Sequence, residues 1–150
     1  MSSLADPGTI DELVTRLGLL HPRRPRAWGR MTAHETLCHL ADSFRLVLGE
    51  RPFKPIDTWF TRTVIKYVAL HTSLAWPKGT ATIPEVDQHI GGTKPMEFER
   101  DRAIVIELMR RFASPDARCG AHPIFGPLTR EEWLVWGYRH MDHHLRQFAV

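Results

Sequence analysis

Apolar residues recur along much of this chain at intervals of three and four, the spacing that gathers them on one face of an α-helix. In the stretch from Ile10 to Leu20 they are Ile10, Leu13, Val14, Leu17 and Leu20. Thr9 is placed to cap that helix, and Asp11 and Glu12 fall in its first turn, where the helix dipole favours carboxylates. Pro22 and Pro25 end it. A second helix is predicted from Thr32, where Thr32-Ala33-His34-Glu35 spells a capping box. Its apolar stripe is Leu37, Leu40, Ala41, Phe44, Val47 and Leu48, and Gly49 is a natural stop.

Pro52 and Pro55 interrupt the pattern before a third helix, predicted from Asp57 to about Thr72 and carrying Trp59, Phe60, Val64, Tyr67, Val68 and Leu70. From Ser73 to Pro95 the chain holds three prolines and Gly79, Gly91 and Gly92, with no sustained period. So long a connection in a compact domain commonly covers a site. A fourth helix is predicted from about Met96 to Phe112, burying Phe98, Ile104, Val105, Leu108 and Met109. After a turn-rich piece, Thr129-Arg130-Glu131-Glu132 forms a second capping box and opens a last helix running nearly to Val150. Strand alternation of useful length is absent. The prediction is an all-α chain of five helices, four of them in a bundle, and its 150 residues suit a single domain around one core.

Composition narrows the functional classes. An apolar share of 43% and a charged share of 25% are those of a soluble globular protein, and no run of about 18 apolar residues suggests a membrane span. The N-terminal Met1-Ser2-Ser3-Leu4-Ala5-Asp6-Pro7 lacks the basic start and apolar centre of a signal peptide. Cys38 and Cys119 have no metal-motif spacing and read as two free thiols in a reducing compartment, so the expected location is the cytoplasm. The net charge is only +3, and the basic clusters Arg23-Arg24-Pro25-Arg26 and Arg110-Arg111 have no interleaved aromatics to stack on bases. Nucleic acid is therefore not an expected partner.

The unusual feature is nine histidines. His140, His143 and His144 share the last helix, and residues three or four apart there can bring two imidazoles onto one ion. The row Glu132, Trp136, Arg139, His143, Arg146 is largely charged and predicted to be solvated. The row Trp133, Gly137, His140, His144, Gln147 lies beside the apolar row of Leu134, Tyr138, Met141, Leu145 and Phe148, which favours His140 and His144 as the inward pair, with Gly137 leaving room one turn above. A pair alone does not make a site. A third ligand must come from another helix, and His34 and His39 are the candidates. His39 projects nearly opposite the apolar stripe, beside Asp42, Ser43 and Leu46, whereas His34 lies nearer the stripe's edge, so spacing alone leaves the choice open. His21, His71, His89 and His122 fall in or beside loops and read as exposed or capping residues, His122 being the one best placed to approach a site.

The segment Leu37-Cys38-His39-Leu40-Ala41-Asp42-Ser43 resembles the second-helix pattern of the DinB/YfiT-like superfamily, in which a histidine followed by leucine ligates a metal. The string from His140 to Phe148 resembles that superfamily's last-helix signature, whose first and fifth positions supply two more ligands. His122-Pro123-Ile124-Phe125-Gly126-Pro127-Leu128-Thr129 is similar to one subgroup, DUF1569. The similarity covers most of the chain and is strongest from about His122 onward. It implies a DinB-like four-helix bundle plus a short additional helix, a metal held by His39, His140 and His144, and a homodimer, for which five tryptophans offer ample apolar surface.

Three neutral imidazoles leave a divalent ion at least one open position, the arrangement of catalytic sites; zinc is the default and nickel also suits imidazole. Asp42, one turn beyond His39, can orient an imidazole or accept a proton as a catalytic residue, or be an ordinary surface carboxylate, and Gln147 can support a ligand from behind. The resemblance implies transfer of a small thiol, such as bacillithiol or mycothiol, to an electrophile. Metal-dependent hydrolysis is the alternative, and a non-catalytic metal-binding or stress-response bundle is the third reading.

Overall fold

Local capping chemistry sets the ends of most helices. In the computed structural model, which describes residues 2–150, α1 spans Thr9–Gly18, α2 Ala33–Val47, α3 Lys66–His71, α4 Phe98–Ala113 and α5 Arg130–Arg146. Both predicted capping boxes form. The Thr32 hydroxyl accepts from the Glu35 amide at 3.2 Å while the Glu35 carboxylate accepts from the Thr32 amide at 2.8 Å. Thr129 and Glu132 repeat the exchange at 3.2 and 2.9 Å. Gly49, at φ 80°, follows the end of α2 in the left-handed conformation that terminates helices. At α1 the expectation fails in detail. Gly8 is the capping position, and Thr9 is the first helical residue with its side chain buried. The last helix ends at Arg146, four residues before Val150, which it was expected nearly to reach.

The third helix departs furthest from its pattern. A π-helical turn, Thr61–Ile65, precedes α3 and admits an extra residue, so a 3.6-residue count no longer says which way each side chain points. Trp59 is 74% exposed and Tyr67 62%, with Phe60, Val64, Ile65 and Val68 also exposed. Only Ala69 and Leu70 face inward. Arg139 of α5 anchors the C-terminal end, its guanidinium donating to the carbonyls of Ala69 at 2.7 Å and Thr72 at 2.6 Å.

Five α-helices and no strand are present among the described residues. Packing of α2 on α4, and of α1 on α4 and α5, builds one continuous apolar core that includes Leu13, Leu17, Leu37, Phe44, Phe112, Met141 and Leu145. The space at Gly137 serves this core rather than the histidines below it. A Cβ there would lie 2.7 Å from both the Phe112 ring and a Leu4 methyl. Alanine normally gains about 1 kcal/mol over glycine inside a helix, but overpacking a filled core costs about 1–3 kcal/mol. Phe112 is fully buried and wedged against Phe44, Trp133 and Trp136, so it has no room to yield. Gly137→Ala is therefore expected to lower the denaturation midpoint, and a gain in stability would contradict this packing. No helix among the described residues is long and apolar enough to cross a membrane.

Candidate metal centre

His39 from α2 meets His140 and His144 from α5, and one ligand nitrogen of each lies within 4.8 Å of the others. All three are buried. Their far nitrogens fix their orientation. His39 Nδ1 is 2.8 Å from the Val86 carbonyl, and His144 Nδ1 is 2.7 Å from the Gln147 side-chain oxygen. Both partners can only accept, so each Nδ1 carries the proton and each Nε2 keeps its lone pair. His39 Nε2 stands 3.2 Å from His140 Nε2. Burial, reinforced for His140 and His144 by the neighbouring imidazoles, holds all three below the ordinary histidine range, so the rings are neutral at pH 7.

The Nε2 lone pairs of His39 and His144 converge with Nε2 of a third neutral imidazole, His140, a donor set that fits a divalent cation. His140 Nδ1, unlike that of His39 or His144, is buried without a hydrogen-bond partner. His39, His140 and His144 thus form a group that could hold a metal, as do His34, Cys38 and Asp101 elsewhere, and no fourth histidine, cysteine, aspartate or glutamate joins the first group among the described residues.

The face of α2 opposite its apolar stripe is not solvated as the periodicity suggests. It carries His39, Asp42 and Ser43, all buried, and the 3₁₀ turn Pro84–Val86 packs on α2. Asp42 has no exposure, which removes its reading as a surface carboxylate. Its oxygens accept from the Thr93 amide and hydroxyl at 2.7 Å each, from the Gln88 amide at 3.1 Å and from Arg51 at 3.1 Å. Arg51 also donates to the Gly91 carbonyl. One buried carboxylate therefore ties residues 88–93 to α2, and Val86, just before them in the same loop, presents its carbonyl to His39.

Beside the triad lies a cavity of about 280 Å³. Its walls include Leu46, Val47, Ile65, Trp76, Ile83, Phe125 and Trp136, with the three imidazoles on one side. The connection from Ser73 to Pro95 supplies Trp76, Pro77, residues 80–83 and Val86, so the long loop does cover the site. Trp76 is braced by its indole N–H donating to the Ala69 carbonyl at 3.1 Å. The row predicted to be solvated is largely inside: Glu132 and Trp136 are buried, and His143 is half-buried on the cavity wall. Glu132 is sustained there by its capping box and by His71 at 3.0 Å, while Trp136 stacks on His140.

The remaining histidines separate cleanly. His34 is not in the triad; it pairs with Asp101 of α4 at 2.7 Å, with the Cys38 thiol alongside. Burial and Asp101 push that thiol up to about 12, so Cys38 is no thiolate at neutral pH. Cys38 and Cys119 are both free. His21 is exposed, His71 bonds Glu132, and His89 lies 3.4 Å from Glu35. His122 corrects its reading as an exposed or capping residue, since it is buried on the cavity wall. The string His122-Pro123-Ile124-Phe125-Gly126 was the available signal: it closes a tight turn in which the His122 and Gly126 backbones exchange hydrogen bonds at 2.8 and 2.9 Å.

No curated protein and no solved structure matches this chain. The sequence model of one family, described as a protein of unknown function, DUF1569, matches residues 9–150, which takes in every helix and all three convergent histidines. The chain belongs to the DUF1569 family.

Proposed function

We propose that this chain is a DinB-like helical bundle that holds one divalent cation, zinc or nickel, on His39, His140 and His144 and transfers a small thiol to an electrophile seated in the adjoining cavity. The observation that carries the reading is three imidazoles converging on the wall of an apolar cavity of about 280 Å³, with no fourth protein ligand in the group among the described residues. Bound there, a divalent cation would lower the pKa of a coordinated thiol or water toward neutrality. The protein's own part is orientation and exclusion of water. Val86 and Gln147 fix two of the imidazoles. Trp76 and Trp136 shield the cavity. Asp42, fully engaged by Thr93, Gln88 and Arg51, acts as a positioning residue, holding the loop that holds His39.

Cobalt substitution tests the reading. A thiol that binds at the centre adds a sulfur-to-metal charge-transfer band in the near ultraviolet, and conjugation to a haloarene or epoxide then requires both metal and thiol. A cobalt spectrum unmoved by a panel of bacterial thiols would overturn the transferase. Metal-dependent ester or amide cleavage without that band would establish hydrolysis instead. Neither activity at full metal occupancy would leave a non-catalytic metal-binding bundle.

The exposed face of residues 59–68 supports a homodimer. Trp59, Phe60, Val64 and Tyr67 are exposed apolar side chains that nothing among the described residues covers, unusual for large aromatics unless a partner does. A dimer mass is expected by light scattering at tens of micromolar, falling to the monomer on joint Trp59→Asp and Tyr67→Asp substitution. A wild-type monomer mass would rule the dimer out.

A further inference from the structure

A cavity that holds a ligand must meet it with complementary chemistry, and this one has no lysine, arginine, aspartate or glutamate on its walls. In the metal-free protein a charged ligand would lose its hydration there without gaining a counter-charge from any side chain on the wall. The wall does contain an N–H donor whose tautomer and orientation the fold fixes and which no described residue uses. His122 is 7% exposed, and its Nδ1 accepts from the amides of Ile124 and Phe125, both at 3.1 Å. An Nδ1 that accepts two N–H groups has no proton of its own, so the neutral ring carries its hydrogen on Nε2. Burial drives the ring down to about 3, which keeps it neutral across the physiological range. The ring lies flat on Phe125, with centroids 4.4 Å apart and planes 14° apart, so its orientation is held. Nε2 is on the edge of the ring opposite the turn backbone that occupies Nδ1, and it has no hydrogen-bond partner among the described residues. Of the other polar groups on the wall, Ser43 donates to the His39 carbonyl at 2.8 Å and Trp76 and Thr80 donate to backbone carbonyls, while no hydrogen bond fixes a donor on Thr82 or His143.

We infer that the cavity selects an uncharged, largely apolar ligand carrying a hydrogen-bond-accepting oxygen, and that the Nε2–H of His122 is the donor that holds that oxygen. The inference rests on the proposed function only in treating the cavity as the seat of the electrophile, so it can be tested without the metal. The probes are acetophenone, its isosteric alkene α-methylstyrene, and benzoate, each titrated calorimetrically into full-length protein at pH 7.5 with and without zinc. Acetophenone should bind metal-free protein about tenfold more tightly than the alkene, because the alkene leaves a buried donor unpaired. Benzoate should not bind that form. In His122→Phe, which keeps the stacked ring, the preference should shrink to within about twofold. Because the variant could misfold, ¹⁵N-resolved imidazole NMR of the wild type gives an independent readout. His122 should show the Nε2–H tautomer, and that proton should shift when acetophenone is added but not with the alkene. Equal affinity for ketone and alkene in wild type, retention of the preference in His122→Phe, or tighter binding of benzoate than acetophenone to metal-free protein would each overturn the inference. Failure to bind zinc with the ketone preference intact would instead strike the metal reading and leave this one standing.

Discussion

Replacing His39, His140 or His144 by alanine is expected to weaken divalent-cation binding by about 100-fold or more, because losing even an outer partner of a metal ligand commonly costs 10–100-fold. His143→Ala should change it by no more than a few-fold. The contrast is demanding, since His143 adjoins His144 in sequence, lines the same cavity and lies 5.2 Å from the His144 ring. It nevertheless stands outside the group whose ligand atoms converge. Its half-buried ring faces Trp76 and Trp28 instead. Metal content after dialysis, with chelator competition for affinity, measures all four variants. Wild-type affinity in His39→Ala would sink the assignment, because His39 is the only link in the group from α2 to α5. Loss of metal in His143→Ala would show that the ring swings into the site.

Asp42→Ala should be the most destabilising single change outside the apolar core, costing about 3 kcal/mol. Breaking a buried charged pair by removing one partner costs about 3–5 kcal/mol. The lower end applies here because Arg51 is 23% exposed and can rehydrate. The Gln88 amide and both Thr93 donors would be orphaned as well. A second effect should accompany the first: with residues 88–93 released from α2, the Val86 carbonyl no longer holds His39, and metal affinity should fall by about 10–100-fold. Denaturant unfolding and metal titration of the same variant separate the two. A variant that loses stability but keeps wild-type affinity would show that Asp42 secures the loop without positioning the ligand.

How far the sequence could be read follows from how local each interaction is. Thr32 with Glu35 and Thr129 with Glu132 are three residues apart, and both capping boxes formed where the pattern placed them. His140 and His144 were legible for the same reason, one turn apart on a single helix. His39 was not, because periodicity assumes one buried face and α2 has two, the second created by a loop about fifty residues away. Trp136 and Glu132 misled the reading of α5 in the same manner. Their burial depends on His71, Phe112, His122 and the cavity, none of which a projection of α5 contains. The π-helical turn at Thr61–Ile65 broke the count itself. His122 sits in a turn whose own amides satisfy its Nδ1, and only the tertiary structure shows that the residue lines the cavity.

The stack of Trp136 on His140, with centroids 5.0 Å apart and planes 22° apart, makes the centre optically legible. Trp76 lies 6.3 Å from the same imidazole. An imidazole that donates its lone pair to a cation becomes a better electron acceptor, and an excited indole in contact with it loses emission by electron transfer. Trp59, out in solvent, supplies a red-shifted background that does not respond. Cation binding at the three histidines is therefore expected to dim the blue edge of the protein's own fluorescence, readable in dilute solution without label, chromophoric metal or substrate.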